Sequence, residues 1–192
     1  MCVELTYSLA KSATKCVPGE GSADADIMFI GEAPGRDEDV SGRPFVGRSG
    51  QLLRKNIVRV GYKESDVFIG NVVKHRPPEN RDPTPEEIEA CRPFLDEQIR
   101  IIDPKLIVTV GRFSMGKFFP NEKISNIHGK VFKVTWGDMS FFVFPMYHPA
   151  AALRSTHMMQ AFEHDFDKLP KIVEWVKNGG KTKEDEIKEA LF

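Results

Sequence analysis

The chain has 192 residues, 41% of them hydrophobic and 29% charged, with a formal net charge of -1. This length suits one domain with extensions, large enough to fold without disulfide or metal staples. The composition excludes a disordered tail protein, a collagen and a membrane span, because no run approaches the roughly 18 uncharged apolar residues that a spanning helix needs. The first ten residues carry no basic flank ahead of an apolar run, so no secretory signal is expected. Three cysteines (Cys2, Cys16 and Cys91) are too few and too odd for a secreted disulfide framework, and a cytoplasmic location is expected. The charge is unevenly spread: from Arg43 to Arg81 there are nine Lys or Arg against three Asp or Glu. Such a basic stretch suits an anionic partner, or else a solvated helix face with loop arginines.

In chain order, Asp26 to Gly31 reads as a short buried strand ending in glycine. A loop rich in Gly, Pro and charge follows from Glu32 to Gly50, long enough to suggest a functional role. Gln51 to Val60 places Leu52, Leu53, Ile57 and Val60 on one helical face. Val67 to Val73 predicts a second buried strand, with Asn71 near its end. A proline-rich loop leads to Thr84-Pro85-Glu86-Glu87, a capping box that starts a helix running to about Ile102. Leu106 to Val110 is a third strand, and Gly111 onward begins another helix. Two further strands, VFKVTW and SFFVFP, form a hairpin across Gly137-Asp138. A helix over Met158 to Lys177 follows, with Pro170 predicting a break or kink. Gly179-Gly180 ends it, and the last twelve residues are a charged tail. The expected organisation is one domain over 1–178 and a tail over 179–192.

Alternating strands and helices predict a three-layer αβα fold around a central, mainly parallel open sheet. In such sheets ligands sit outside the carboxyl ends of the strands. Glu32, Asn71 and His148 all fall there. Each has a plainer reading. Phe45, within a polar loop, either plugs the core or offers a ring for stacking. Asn71 either ties two loops together or presents an amide to a planar heterocycle. His148 is either structural or catalytic. His128, His157 and His164 have no comparable setting and no metal-ligand spacing. Neither a Walker-type phosphate loop nor a GxGxxG motif is present.

Three segments taken together, GEAPGRDEDVSGRPFVGRSGQLL, NVVKHRPPENRDPTPEEIEACRPFL and FPMYHPAAALR, resemble the family 4 uracil-DNA glycosylases in order and spacing. The resemblance covers roughly Val17 to Arg154. It implies the fold of that superfamily and hydrolysis of the N-glycosidic bond of uracil in DNA, single- or double-stranded, to leave an abasic site. By position, it implies that Phe45 stacks on the flipped base and Asn71 reads its edge. His148 would hydrogen-bond O2 of the base, and Glu32 would stand beside the attacking water. Ala33, Glu38 and Asp39 complete the motif, with an acidic residue closing the pocket near C5. Lys74, Arg76 and Arg81 would face phosphates, and Tyr147 and Arg154 would lie where a wedge loop enters the duplex. A monomer is expected.

The family's 4Fe–4S cluster is held by four cysteines. Here Glu4, Tyr7 and His75 stand at three of those positions and only Cys91 matches, so no cofactor is expected. An alternative donor set for iron–sulfur or zinc is Cys2, Cys16, His75 and Cys91. Two other readings stay open: a uracil-DNA binding or covalent-trapping module with little turnover, and a glycosylase with a shifted range such as hypoxanthine or xanthine.

Overall fold

The computed structural model describes residues 7–180. Cys2, Glu4 and the last twelve residues of the charged tail lie outside the described residues. A six-stranded sheet has the order β1-β3-β2-β4-β6-β5. Its centre is parallel: β3 (Val67–Asn71), β2 (Ile27–Gly31), β4 (Leu106–Val110) and β6 (Met139–Met146). Each edge is antiparallel, with β1 (Glu20–Gly21) on β3 and β5 (Phe132–Trp136) on β6. The central strands are short apolar runs because both their faces are covered.

Period-two alternation sorts their side chains into two cores. Ile27, Phe29, Val108 and Phe144 join Leu53 and Ile57 of α3 (Arg48–Arg59) and Phe162, Phe166 and Leu169 of α8 (Thr156–Lys177). Met28, Ile30, Ile107 and Val143 join Cys91, Leu95 and Ile99 of α4 (Pro85–Ile102), with Leu9 of α1 (Ser8–Ser12). The expected αβα layering follows. Each fully buried Leu or Phe contributes about 1.5–3 kcal/mol.

The capping box of α4 forms as expected: Thr84 Oγ1 accepts from Glu87 N at 3.3 Å, and Glu87 Oε2 accepts from Thr84 N at 2.8 Å. The hairpin across Gly137-Asp138 is also present. Two expectations are corrected. The Glu32–Gly50 segment is not all loop: it contains α2 (Arg36–Ser41), and α3 already begins at Arg48. Helix α2 is too short for periodicity to reveal, and it is held at its start by Glu38, which accepts from Gly35 N at 3.1 Å. Pro170 does not interrupt α8. Phe162, Phe166, Leu169, Val173 and Val176 bury one stripe on both sides of the proline, and that packing outweighs the one lost hydrogen bond. Short elements unannounced by pattern are α1, β1, α6 (Ile124–Ile127) and α7 (Pro149–Ala152), and α5 (Arg112–Gly116) is shorter than the helix expected there.

Candidate active site

The parallel register sets Asn71 beside Gly31 at the carboxyl end of the sheet. Beyond that end, Val73 N donates to Glu32 O at 3.1 Å, so Glu32 and the chain after Asn71 stay coupled. Strand β6 ends at Met146, opposite Val110, which delivers Tyr147 and His148 to the same rim. A cavity of about 130 Å³ opens there. Glu32, Ala33, Glu38, Phe45, Asn71, Arg81 and His148 all line it, so seven of the twelve residues singled out from the sequence meet. An adjoining cleft of about 630 Å³ shares Glu32, Ala33 and His148 and adds Asp82, Arg112, Tyr147 and Arg154.

Phe45 is buried in the core, and its ring also walls the cavity, its centroid 6.1 Å from that of the His148 ring. Its backbone is left-handed, with φ of 53°. That conformation is rare for a bulky residue and needs support from its surroundings. Arg54 supplies it, with Nε donating to Phe45 O at 2.8 Å and Nη2 to Pro44 O at 2.6 Å. The same guanidinium pairs with Glu20 and Glu64. Gly50 allows the close approach, since a Cβ there would stand 2.1 Å from Phe45 C. Gly31 keeps the cavity floor clear, since a Cβ there would meet Phe45 Cζ at 2.4 Å and Asn71 Oδ1 at 2.5 Å.

Asn71 is buried, and its Oδ1 has no hydrogen-bond partner among the described residues. An unpartnered buried amide oxygen costs about 1–3 kcal/mol. A ligand N–H would satisfy it. His148 caps α7, its Nδ1 accepting from Ala150 N at 3.2 Å. The neutral ring therefore carries its proton on Nε2, as a donor. Burial, reinforced by Arg154, pushes the imidazole down to about 4, so it stays neutral near pH 7. Burial pushes the Glu32 carboxyl up to about 6, with Asp82 adding to the rise and Arg112 opposing it. Asp82 and Arg112 form an ion pair with each other.

Other expected residues have different duties. Glu38 lines the cavity, but its carboxylate accepts from Gly35 N, Val46 N and Gly47 N at 2.8–3.1 Å, which ties the two ends of the loop together. Asp39 does not reach the cavity: its Oδ1 accepts from Thr14 N at 2.8 Å and Lys15 N at 3.2 Å. Lys74 does not face phosphates. It is 1% exposed, and its Nζ donates to Asn71 O at 2.8 Å and Gln98 Oε1 at 2.6 Å. Arg76 Nε donates to Asn80 Oδ1 at 2.8 Å, outside the residues lining either cavity. Arg81 lines the cavity while paired with Glu87 at 2.6 Å. Sequence reading missed Arg54, Asp82 and Arg112, none of which lies in a recognisable spacing. It also set His128 aside, yet His128 Nδ1 bonds the buried Asp165 at 2.7 Å and its ring lies 4.2 Å from that of Tyr147.

Residues 18–175 match the family model described as the Uracil DNA glycosylase superfamily. The chain belongs to the uracil-DNA glycosylase superfamily. Its relatives place it in the type-4 branch. It is 49% identical to the type-4 uracil-DNA glycosylase of Sulfurisphaera tokodaii over 164 residues, 81% of this chain and 74% of the relative. It is 45% identical to that of Archaeoglobus fulgidus, over 84% of this chain and 83% of the relative. It is also 30% identical to a type-5 uracil-DNA glycosylase of Thermus thermophilus, over 52% of each chain.

The iron–sulfur cluster implied for a type-4 glycosylase was tested against the side chains at its positions. Tyr7, His75 and Cys91 converge. Tyr7 Oη lies 3.1 Å from His75 Nδ1, and Tyr7 packs against the core cluster that contains Cys91. Burial pushes the thiol and phenol up and the imidazole down, so all three are uncharged near pH 7. A single thiol beside a phenol and an imidazole does not fit a cluster that needs several thiolates. For the alternative donor set, Cys2 lies outside the described residues. Among the described residues no group of three or more His, Cys, Asp or Glu is arranged to hold a metal ion.

Proposed function

We propose that this chain excises uracil from DNA by hydrolysis, with Phe45, Asn71, His148 and Glu32 as the groups that touch the base and the reacting sugar. The observation that carries the reading is the buried, unpartnered Asn71 Oδ1 in a small cavity between an aromatic ring and a neutral imidazole donor. A flipped uracil presents complementary groups: an N–H for Asn71, a face for Phe45 and a carbonyl oxygen for His148. Extruding the base costs a few kcal/mol, and stacking on Phe45 returns about 1–3 kcal/mol.

The C1′–N1 bond breaks and its electron pair leaves on uracil, whose growing negative charge is met by the His148 Nε2–H donor. The ionised Glu32 faces the positive charge on the sugar and takes a proton from the attacking water. The water oxygen bonds C1′, the proton passes to solvent, and the uracil anion is protonated by solvent. No lysine lines either cavity, so no Schiff-base cleavage of the strand is expected. Covalent capture by His75 is disfavoured, because that ring is buried against Tyr7 and lines neither cavity. The strand would follow the larger cleft past Tyr147, Arg112 and Arg154, and one chain supplies every group named.

The deciding experiment is uracil release from a labelled single-stranded oligonucleotide, read as alkali-labile cleavage. Cleavage that Glu32→Gln abolishes supports the reading. A folded wild-type protein that leaves the strand intact, or holds it in a denaturant-resistant adduct, overturns it.

A further inference from the structure

The side chains at the described positions of the family's cluster ligands sit together. Tyr7 Oη lies within hydrogen-bond distance of His75 Nδ1, at 3.1 Å, and the two rings meet edge to face with centroids 5.4 Å apart. Tyr7 also packs against the α4-side core that contains the buried Cys91. Three segments therefore meet at one phenol: the start of α1, the stretch after Asn71, and α4.

The chain around this point is fastened in parallel. Leu9 is buried in the α4-side core. Ser8 Oγ donates to Glu87 Oε1 at 3.1 Å. Val17 N donates to Lys74 O at 2.8 Å. Glu87 is also the carboxylate that holds Arg81, which lines the small cavity. The N-terminal segment thus reaches the base site through two side chains. A cluster in this position would cross-link the same three segments, and Tyr7 does so with one hydrogen bond and with packing.

We propose that Tyr7, His75 and Cys91 form a latch that replaces the iron–sulfur cluster as the fastener of the N-terminal segment, so that the protein folds and acts without iron. The inference rests on the type-4 reading for the positions compared. Its test uses metal content and stability, neither of which depends on uracil excision, so the two readings fail separately.

The full chain, expressed in iron-supplemented medium and purified anaerobically, is measured for iron, zinc and visible absorbance. It is then melted with and without a strong chelator. Substoichiometric metal, no thiolate-to-iron absorption and a melting temperature indifferent to chelator are expected. Tyr7→Phe keeps the ring but removes the hydroxyl. It should lower the melting temperature by about 3–10 °C and increase hydrogen exchange at Ser8–Ser12. If Tyr7→Phe is insoluble, His75→Gln is read in the same way. Stoichiometric iron or zinc in the wild type overturns the proposal. So does a latch variant whose melting temperature and exchange match the wild type.

Discussion

The acid limb of uracil release offers the most direct test of how the site is tuned. Glu32 must be ionised to face a positive sugar, and its carboxyl is held up at about 6. The ionised fraction then falls from about 90% at pH 7 to about 10% at pH 5, so the single-turnover rate should drop about tenfold over that interval. His148 contributes no limb there, because it already stays neutral down to about pH 4. Asp82→Asn removes the charge that raises Glu32 and frees Arg112, whose influence on Glu32 is opposite. The limb should move to lower pH but stay above the ordinary 4.5, because burial is the larger cause and is untouched. A one-unit shift would raise the rate at pH 5 about fivefold. The assay is single-turnover release from a labelled single-stranded oligonucleotide with enzyme in excess, from pH 5 to pH 8. A flat wild-type profile, or a limb that Asp82→Asn leaves in place or moves upward, would refute the assignment of this limb to Glu32.

Gly31→Ala would put a methyl on the cavity floor against Phe45 and Asn71. Uracil release should fall at least tenfold, and the loss should show as weaker inhibition by free uracil. Asn71→Asp puts a carboxylate where the amide reads the base, so the rate on uracil should fall by about 2 kcal/mol or more of transition-state stabilisation, measured as kcat/KM. Arg154→Ala should weaken DNA binding at low salt and reduce the slope of log affinity against log salt by about one, measured by fluorescence anisotropy. His148 also links pH to stability. Its folded value of about 4 lies below the ordinary 6.5, so the unfolded chain binds more protons between them. Stability should fall as pH drops from 6.5 towards 4, by at most about 3 kcal/mol from this group, and His148→Gln should flatten that part of the denaturant-melt profile.

The layered fold was legible because its central strands are short, mostly apolar runs and α4 opens on a complete capping box. The short helices were not, since four or five residues leave no period to read. The same division runs through the site. Glu32, Phe45, Asn71 and His148 were legible from their place at strand ends and in one family-like segment. Lys74 was misread because a lysine in a basic stretch looks solvated, whereas the chain turns and sends its Nζ back to the carbonyl three residues earlier. The charge count had the same weakness. Arg43, Arg54, Arg59 and Arg81 all hold carboxylates of this chain. The basic segment therefore offers DNA fewer free cations than its composition suggests. His128 escaped notice because its carboxylate partner lies 37 residues away, on α8.

Arg54 has a consequence for the order in which the molecule fails on heating. One guanidinium grips the carbonyls of Pro44 and Phe45 and also Glu20 of β1, the two-residue edge strand. The smallest strand is thereby mechanically linked to the left-handed phenylalanine of the cavity wall. Edge strands fray before centres do. When β1 peels away, Arg54 loses an anchor and the left-handed turn at Phe45 loses part of its restraint. Uracil recognition should then fade while the parallel core is still intact, which would make the upper working temperature a property of the sheet's rim and not of its core.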